Sequence, residues 1–154
     1  MHTQEIQEII KQQEELVFSS FNSKDALQIG MWLIQEAEKN KDIISIAVTR
    51  GRQKLFQYAM QGTSVDNDNW MRRKENTVYH FFKPSYRVQL ELADKGQTLP
   101  EKFGLSLADY AAAGGCFPVY LREAGMVGTI TVSGLTSAED HAYVVRAIKA
   151  FLGK

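Results

Sequence analysis

The 154-residue sequence predicts an α+β fold, a single antiparallel sheet with helices layered against its faces. Apolar residues recur at helical spacing in five separate stretches, while short β-favouring runs come as neighbours joined by turn residues. A regular strand-helix-strand alternation, the mark of a parallel sheet, is absent.

From Thr3 to about Glu15, Ile6, Ile9 and Ile10 fall on one side among Gln and Glu, predicting an amphipathic helix. Leu16 to Phe21 turns to β-favouring residues, predicting a short strand before Asn22. Ser23 is read as the N-cap of a second helix, which carries Ala26, Leu33 and Ala37 on its apolar side and ends near Asn40. Ile43 to Val48 and Lys54 to Met60 then form a hairpin around Gly51-Arg52-Gln53.

After Gly62, a polar run supplies caps for a helix from about Asp68 to Phe82, closed by Pro84. Another helix spans Ser85 to Lys95, with Gly96 as its stop, and Leu105 to Ala112 adds a helical turn capped by Ser106. Phe117 to Leu121 and Met126 to Val132 pair through the turn Arg122 to Gly125. Thr136-Ser137-Ala138-Glu139 is a capping-box pattern that starts the last helix, expected to reach Leu152. Pro84, Pro100 and Pro118 are all placed at element boundaries.

At this length one hydrophobic core suffices, and neither a repeat nor a linker divides the chain, so residues 1–154 are expected to form one domain. Eighteen basic residues balance eighteen acidic ones, which provides no field for nucleic acid or an anionic membrane. One cysteine, no leader-like N-terminus and no apolar run of spanning length give the expectation of a cytoplasmic protein.

Nucleotide-cradling, nucleophile-elbow and metalloprotease motifs are all missing. The densest chemistry lies between Asn69 and Phe82, where helical spacing puts Trp70, Arg73, Thr77 and His80 on one side, with Lys74 close by. A cation beside an aromatic wall suits a carboxylate, a phosphate or a haem propionate. The plainer reading packs Trp70 and Thr77 on the sheet and leaves Arg72, Arg73 and Lys74 solvated. Cys116, at the start of a strand, is either a small buried residue or an activated thiol. Asp140-His141 is either a capping acid beside a surface histidine or an acid, base or ligand pair. Gly128, inside a strand, allows either a bulge or close approach of a flat ligand.

Four ordered motifs, Asp66 to Lys74, Gly114 to Val119, Val127 to Leu135 and Asp140-His141, resemble a little-characterised branch of the GlcG/HbpS-like, or haem-degrading, superfamily. The resemblance spans nearly the whole chain. It implies a profilin-like layered fold, homo-oligomers and, as in some members, haem binding. The family pattern carries a histidine before the double glycine, where this chain has Ala113, so no haem or metal ligand carries over to that position.

The leading expectation is therefore a homo-oligomeric module for a small flat anionic ligand, haem among them, with Trp70, Arg73, His80, Cys116 and His141 as site residues. A non-catalytic assembly or adaptor protein is the alternative, and a Cys116- or His141-dependent enzyme is a third.

Overall fold

The computed structural model describes all residues 1–154. The chain runs through α1 (Thr3–Glu15), β1 (Val17–Phe18), α2 (Ser23–Asn40), β2 (Ser45–Arg50), β3 (Gln53–Ala59) and α3 (Val65–Phe81). It continues through α4 (Ser85–Lys95), α5 (Leu99–Phe103), β4 (Cys116–Leu121), β5 (Gly125–Ser133) and α6 (Ser137–Leu152).

The strands form one sheet in the order β1-β4-β5-β2-β3. Every neighbouring pair is antiparallel except β1 with β4, which is parallel. The β2–β3 turn places Gly51 and Arg52 at φ +56° and +72°, the left-handed pair that matches the natural twist of a two-residue hairpin. This is the profilin-like layered α+β fold that the sequence predicts.

Alternation along the strands sends two different chemistries to the two faces. Ile46, Val48, Phe117, Val119, Ile130 and Val132 enter one apolar core with Ile29 and Leu33 of α2 and Val144 and Ile148 of α6. Among the intervening positions, Ser45, Thr49, Thr129, Thr131 and Ser133 are equally buried but polar, with Ala47 and Cys116 between them. They lie under α3, whose Tyr79 Oη meets Thr49 Oγ1 at 2.9 Å and whose Asn67 Nδ2 donates to Ser133 Oγ at 3.3 Å.

Several sequence expectations shift. The cap of α2 is Asn22, not Ser23, because Asn22 and Asp25 exchange side-chain-to-backbone hydrogen bonds. Pro118 lies within β4 and not at its boundary; β1 pairs only with Tyr120 and Leu121, so Pro118 stands where β4 is uncovered and an amide is dispensable. A helix forms at Leu99–Phe103, capped by Thr98 with Pro100 in its first turn, and the expected turn capped by Ser106 is a single one, with Ala108 N donating to Ser106 Oγ and the amides of Asp109 and Tyr110 to the Ser106 carbonyl. Side chains of α3 take the carbonyls that a longer helix would use beyond that turn. Arg73, Arg72, Asn76 and Thr77 donate to the carbonyls of Leu107, Ala108, Asp109 and Ala111, respectively.

Gly128 needs no ligand to explain it. A Cβ there would stand 2.0 Å from the carbonyl oxygen of Thr49, so the space belongs to the neighbouring strand's backbone.

Candidate functional site

Helix α3 starts at a reciprocal cap between Ser64 and Asn67, which fixes its N-terminal turn over the end of β5. One turn further on, Trp70 stands half-buried on the helix, with Arg73 and Lys74 at i+3 and i+4, the two positions that neighbour it on a helical surface. The two cations open into different compartments.

Arg73 lies over the indole, its guanidinium carbon 4.4 Å from the ring centroid. Its Nε donates to the Leu107 carbonyl at 2.8 Å, and neither terminal nitrogen has a protein partner. Beside it runs a groove of about 380 Å³ walled by Trp70, Leu92, Leu99, Leu107, Ala112 and Ala113. Gln97 also lines this groove, and its Oε1 is buried without a hydrogen-bond partner. Mostly apolar walls with a few polar groups are the usual constitution of a small-molecule site.

Lys74 is 4% exposed and lines a second, polar cleft of about 320 Å³. Its Nζ donates to Asp140 Oδ2 and to the Val132 carbonyl, both at 3.1 Å, while Leu135 N donates to Asp140 Oδ1 at 3.0 Å. Burial raises the Asp140 pKa above the ordinary carboxylate value, and the Lys74 charge and hydrogen bond oppose that rise. Gly115, at φ +130°, is what admits this pair. A Cβ on it would stand 2.4 Å from the Val132 oxygen and 2.8 Å from Lys74 Nζ.

The five residues singled out from sequence thus separate. Trp70 and Arg73 share the groove. His80 extends their helical stripe but is exposed, edge-on to Phe81 and Tyr110 at 4.6 and 6.0 Å between ring centroids. Cys116 is fully buried between the sheet and α3, accepts a hydrogen bond from Thr131 Oγ1 at 3.1 Å, and has its pKa pushed up by burial.

His141 is buried and not a surface histidine. Its Nε2 lies 2.8 Å from Gln12 Oε1, its Nδ1 has no partner, and Tyr86 sits 5.2 Å from its ring. It borders a separate cavity beneath α1, because successive residues on α6 diverge by about 100° and only Asp140 turns toward Lys74.

In sequence, Lys74 reads either as a solvated side chain or as a cation beside the aromatic wall, and Asp140 either as a cap or as part of an acid, base or ligand pair; neither reading joins the two residues. The available signal was the double glycine, since two adjacent residues without side chains need something bulky beside them. Glu75 was passed over entirely. It is 8% exposed on the polar face, its Oε2 has no partner, and burial raises its pKa against the opposing charges of Lys54 and Arg52.

A layered α+β fold with a helix-flanked cleft defines the class, and comparison with known proteins supplies the family. Residues 21–149 match the model described as haem degrading protein HbpS-like, and the chain belongs to this HbpS-like family. It is 42% identical over 149 residues to a UPF0303 protein of Serratia proteamaculans, covering 97% of this chain and 92% of the relative. A UPF0303 protein of Zymomonas mobilis is 46% identical over 145 residues, covering 94% of this chain and 78% of the relative. Among solved structures, the Ybr137w protein superposes with a TM-score of 0.89 at 25% identity, over 97% of this chain and 88% of that one. PduOC in complex with haem superposes with a TM-score of 0.70 at 15% identity, over 85% and 94% of the two chains, a likeness of fold alone.

Proposed function

We propose that this protein is a binding module for a small, flat, anionic molecule, held in the groove beside Trp70 with its carboxylate on Arg73. The observation that carries the reading is Arg73 itself: its guanidinium is oriented by the indole and the Leu107 carbonyl, and its terminal nitrogens are left free at the mouth of an apolar groove. A forked donor in that position suits a carboxylate in bidentate geometry.

Haem belongs to this chemical class, and membership of the HbpS-like family supports it as a candidate. The groove suits the ring face and a propionate. It does not suit the iron, since no imidazole, thiol or thioether lines it and position 113 contributes only a methyl group. The reading is therefore recognition of a flat acid, with no step assigned to a metal.

Titration with hemin and with metal-free protoporphyrin IX, followed by tryptophan fluorescence, tests this. Both are expected to quench with similar Kd, and Arg73→Ala is expected to weaken both about tenfold, in the range of one charge-assisted hydrogen bond. Binding of hemin alone, unaffected by Arg73→Ala, would overturn the reading.

Self-association is the second part of the proposal. Leu27 and Met31, one turn apart on α2, and Tyr58 on the edge strand β3 are all exposed, while Phe56 of β3 lies against Gly30 of α2. An apolar set beside an unpaired strand edge supports contact with a second copy. Light scattering is expected to give a mass above the 17.4 kDa of one chain, and a strictly monomeric mass would remove this part. The same exposed set serves the adaptor reading, which predicts no ligand for the groove. A cytoplasmic setting is part of the proposal too; no helix is long and apolar enough to cross a membrane.

A further inference from the structure

The apolar groove and the polar cleft have two lining residues in common, Trp70 and Ala113. Trp70 is the wall that runs past both. Ala113 lines both, and its side chain is a single methyl group. The backbone on its C-terminal side has no room to move. A Cβ on Gly114 would stand 2.3 Å from the Ser137 oxygen and one on Gly115 2.4 Å from the Val132 oxygen, so this segment is already in contact with α6 and β5. On the other side, Ala111 N donates to Thr77 Oγ1 and to the Arg73 carbonyl. With the main chain held on both sides, the side chain at position 113 decides how much bulk stands at this shared wall.

The cleft differs in charge from the groove. The groove carries one free cation, Arg73. The cleft sets the ammonium of Lys74 against two carboxylates, Asp140 and Asp66, with the Ser133 hydroxyl beside them. Lys74 has three donors and uses two on Asp140 and Val132. A second carboxylate entering here would meet excess negative charge. A neutral group that both donates and accepts, such as a hydroxyl or a primary amide, finds partners of both kinds.

We propose that the two compartments form one site, gated by Ala113, for a flat acid carrying a neutral hydrogen-bonding group at the end opposite its carboxylate. This rests on the groove reading above and adds the chemistry of the far end. Position 113 is then the specificity determinant, and Lys74 with Asp140 reads the ligand's polar end.

Three probes of one body separate the possibilities: 2-naphthoate, 6-hydroxy-2-naphthoate and 2,6-naphthalenedicarboxylate, titrated against the intact chain and its Ala113→Leu and Arg73→Ala variants. The hydroxy acid is expected to bind about fivefold more tightly than 2-naphthoate, the scale of one neutral hydrogen bond, and the dicarboxylate more weakly than both. Ala113→Leu is expected to abolish the hydroxyl's advantage while 2-naphthoate still binds in an Arg73-dependent way. Equal affinities for the first two probes, or a preference that survives Ala113→Leu, would overturn the gate and leave the groove reading standing. Failure of 2-naphthoate to bind, or binding indifferent to Arg73→Ala, would overturn both. Far-ultraviolet circular dichroism and the urea midpoint of Ala113→Leu confirm that the folded chain is being titrated.

Discussion

Lys74 Nζ stands 3.1 Å from Asp140 Oδ2, and both side chains are less than 5% exposed. The pair joins α3 to the first turn of α6 beneath the Ala113 to Gly115 segment, so the floor of the polar cleft also ties the fold together. Removing one partner leaves the other charge unpaired and almost wholly withdrawn from solvent. Lys74→Met is expected to cost about 3–5 kcal/mol in urea unfolding, and the double variant Lys74→Met/Asp140→Leu markedly less than the sum of the two single changes. Additive losses would show that the two groups do not act as a pair.

Cys116 provides a test by chemistry alone. Its thiol is fully buried, its Sγ receives the Thr131 hydroxyl, and burial disfavours the thiolate. Iodoacetamide at neutral pH is expected to leave the folded chain unmodified and to label it stoichiometrically in 8 M urea, as read by mass spectrometry. Rapid labelling of the native chain would place the thiol at an accessible surface.

Two buried groups give stability a pH dependence of opposite sign. Burial lowers the His141 pKa from 6.5 to about 4, so its contribution is complete above pH 6.5 and is lost as pH falls toward 4. The loss is roughly 3 kcal/mol from a difference of about 2.5 pH units, and His141→Gln is expected to remove that slope. Glu75 acts the other way. Its folded-state pKa is raised above 4.5, so ionisation weakens the fold as pH rises from 4.5 through the raised value. Glu75→Gln is expected to gain stability relative to the parent at pH 7 and not at pH 4. Urea midpoints measured from pH 4 to 7.5 on the three chains check both signs.

Much of the fold is legible in the sequence because its elements advertise themselves locally. Thr136 with Glu139 announces the start of α6, and the alternation of Ile130 and Val132 with Thr129 and Thr131 gives β5. What escapes is settled by partners distant in the chain. The Ser106-capped turn is local and legible, but it stops after one turn where α3 side chains take the carbonyls of Leu107, Ala108, Asp109 and Ala111, and no local pattern records that.

The site divides on the same principle. Trp70 and Arg73 are three residues apart and their stacking follows from helical spacing. The partner of Lys74 is 66 residues away, and the alanines that shape the groove leave no chemical signature. His80 and His141 attract attention as imidazoles, but burial and direction, which decide their use, belong to the assembled layers.

For a ligand entering beside Trp70, the chain holds a built-in control. Its other tryptophan, Trp32, is on α2 and packs against the apolar core on the opposite face of the sheet. Two-dimensional ¹H–¹⁵N spectra resolve the two indole N–H signals during titration with protoporphyrin IX. The Trp70 signal is expected to shift or broaden with saturation while that of Trp32 stays in place, and Arg73→Ala to move the midpoint to higher ligand concentration. Saturable binding with an unmoved Trp70 signal would contradict entry beside Trp70.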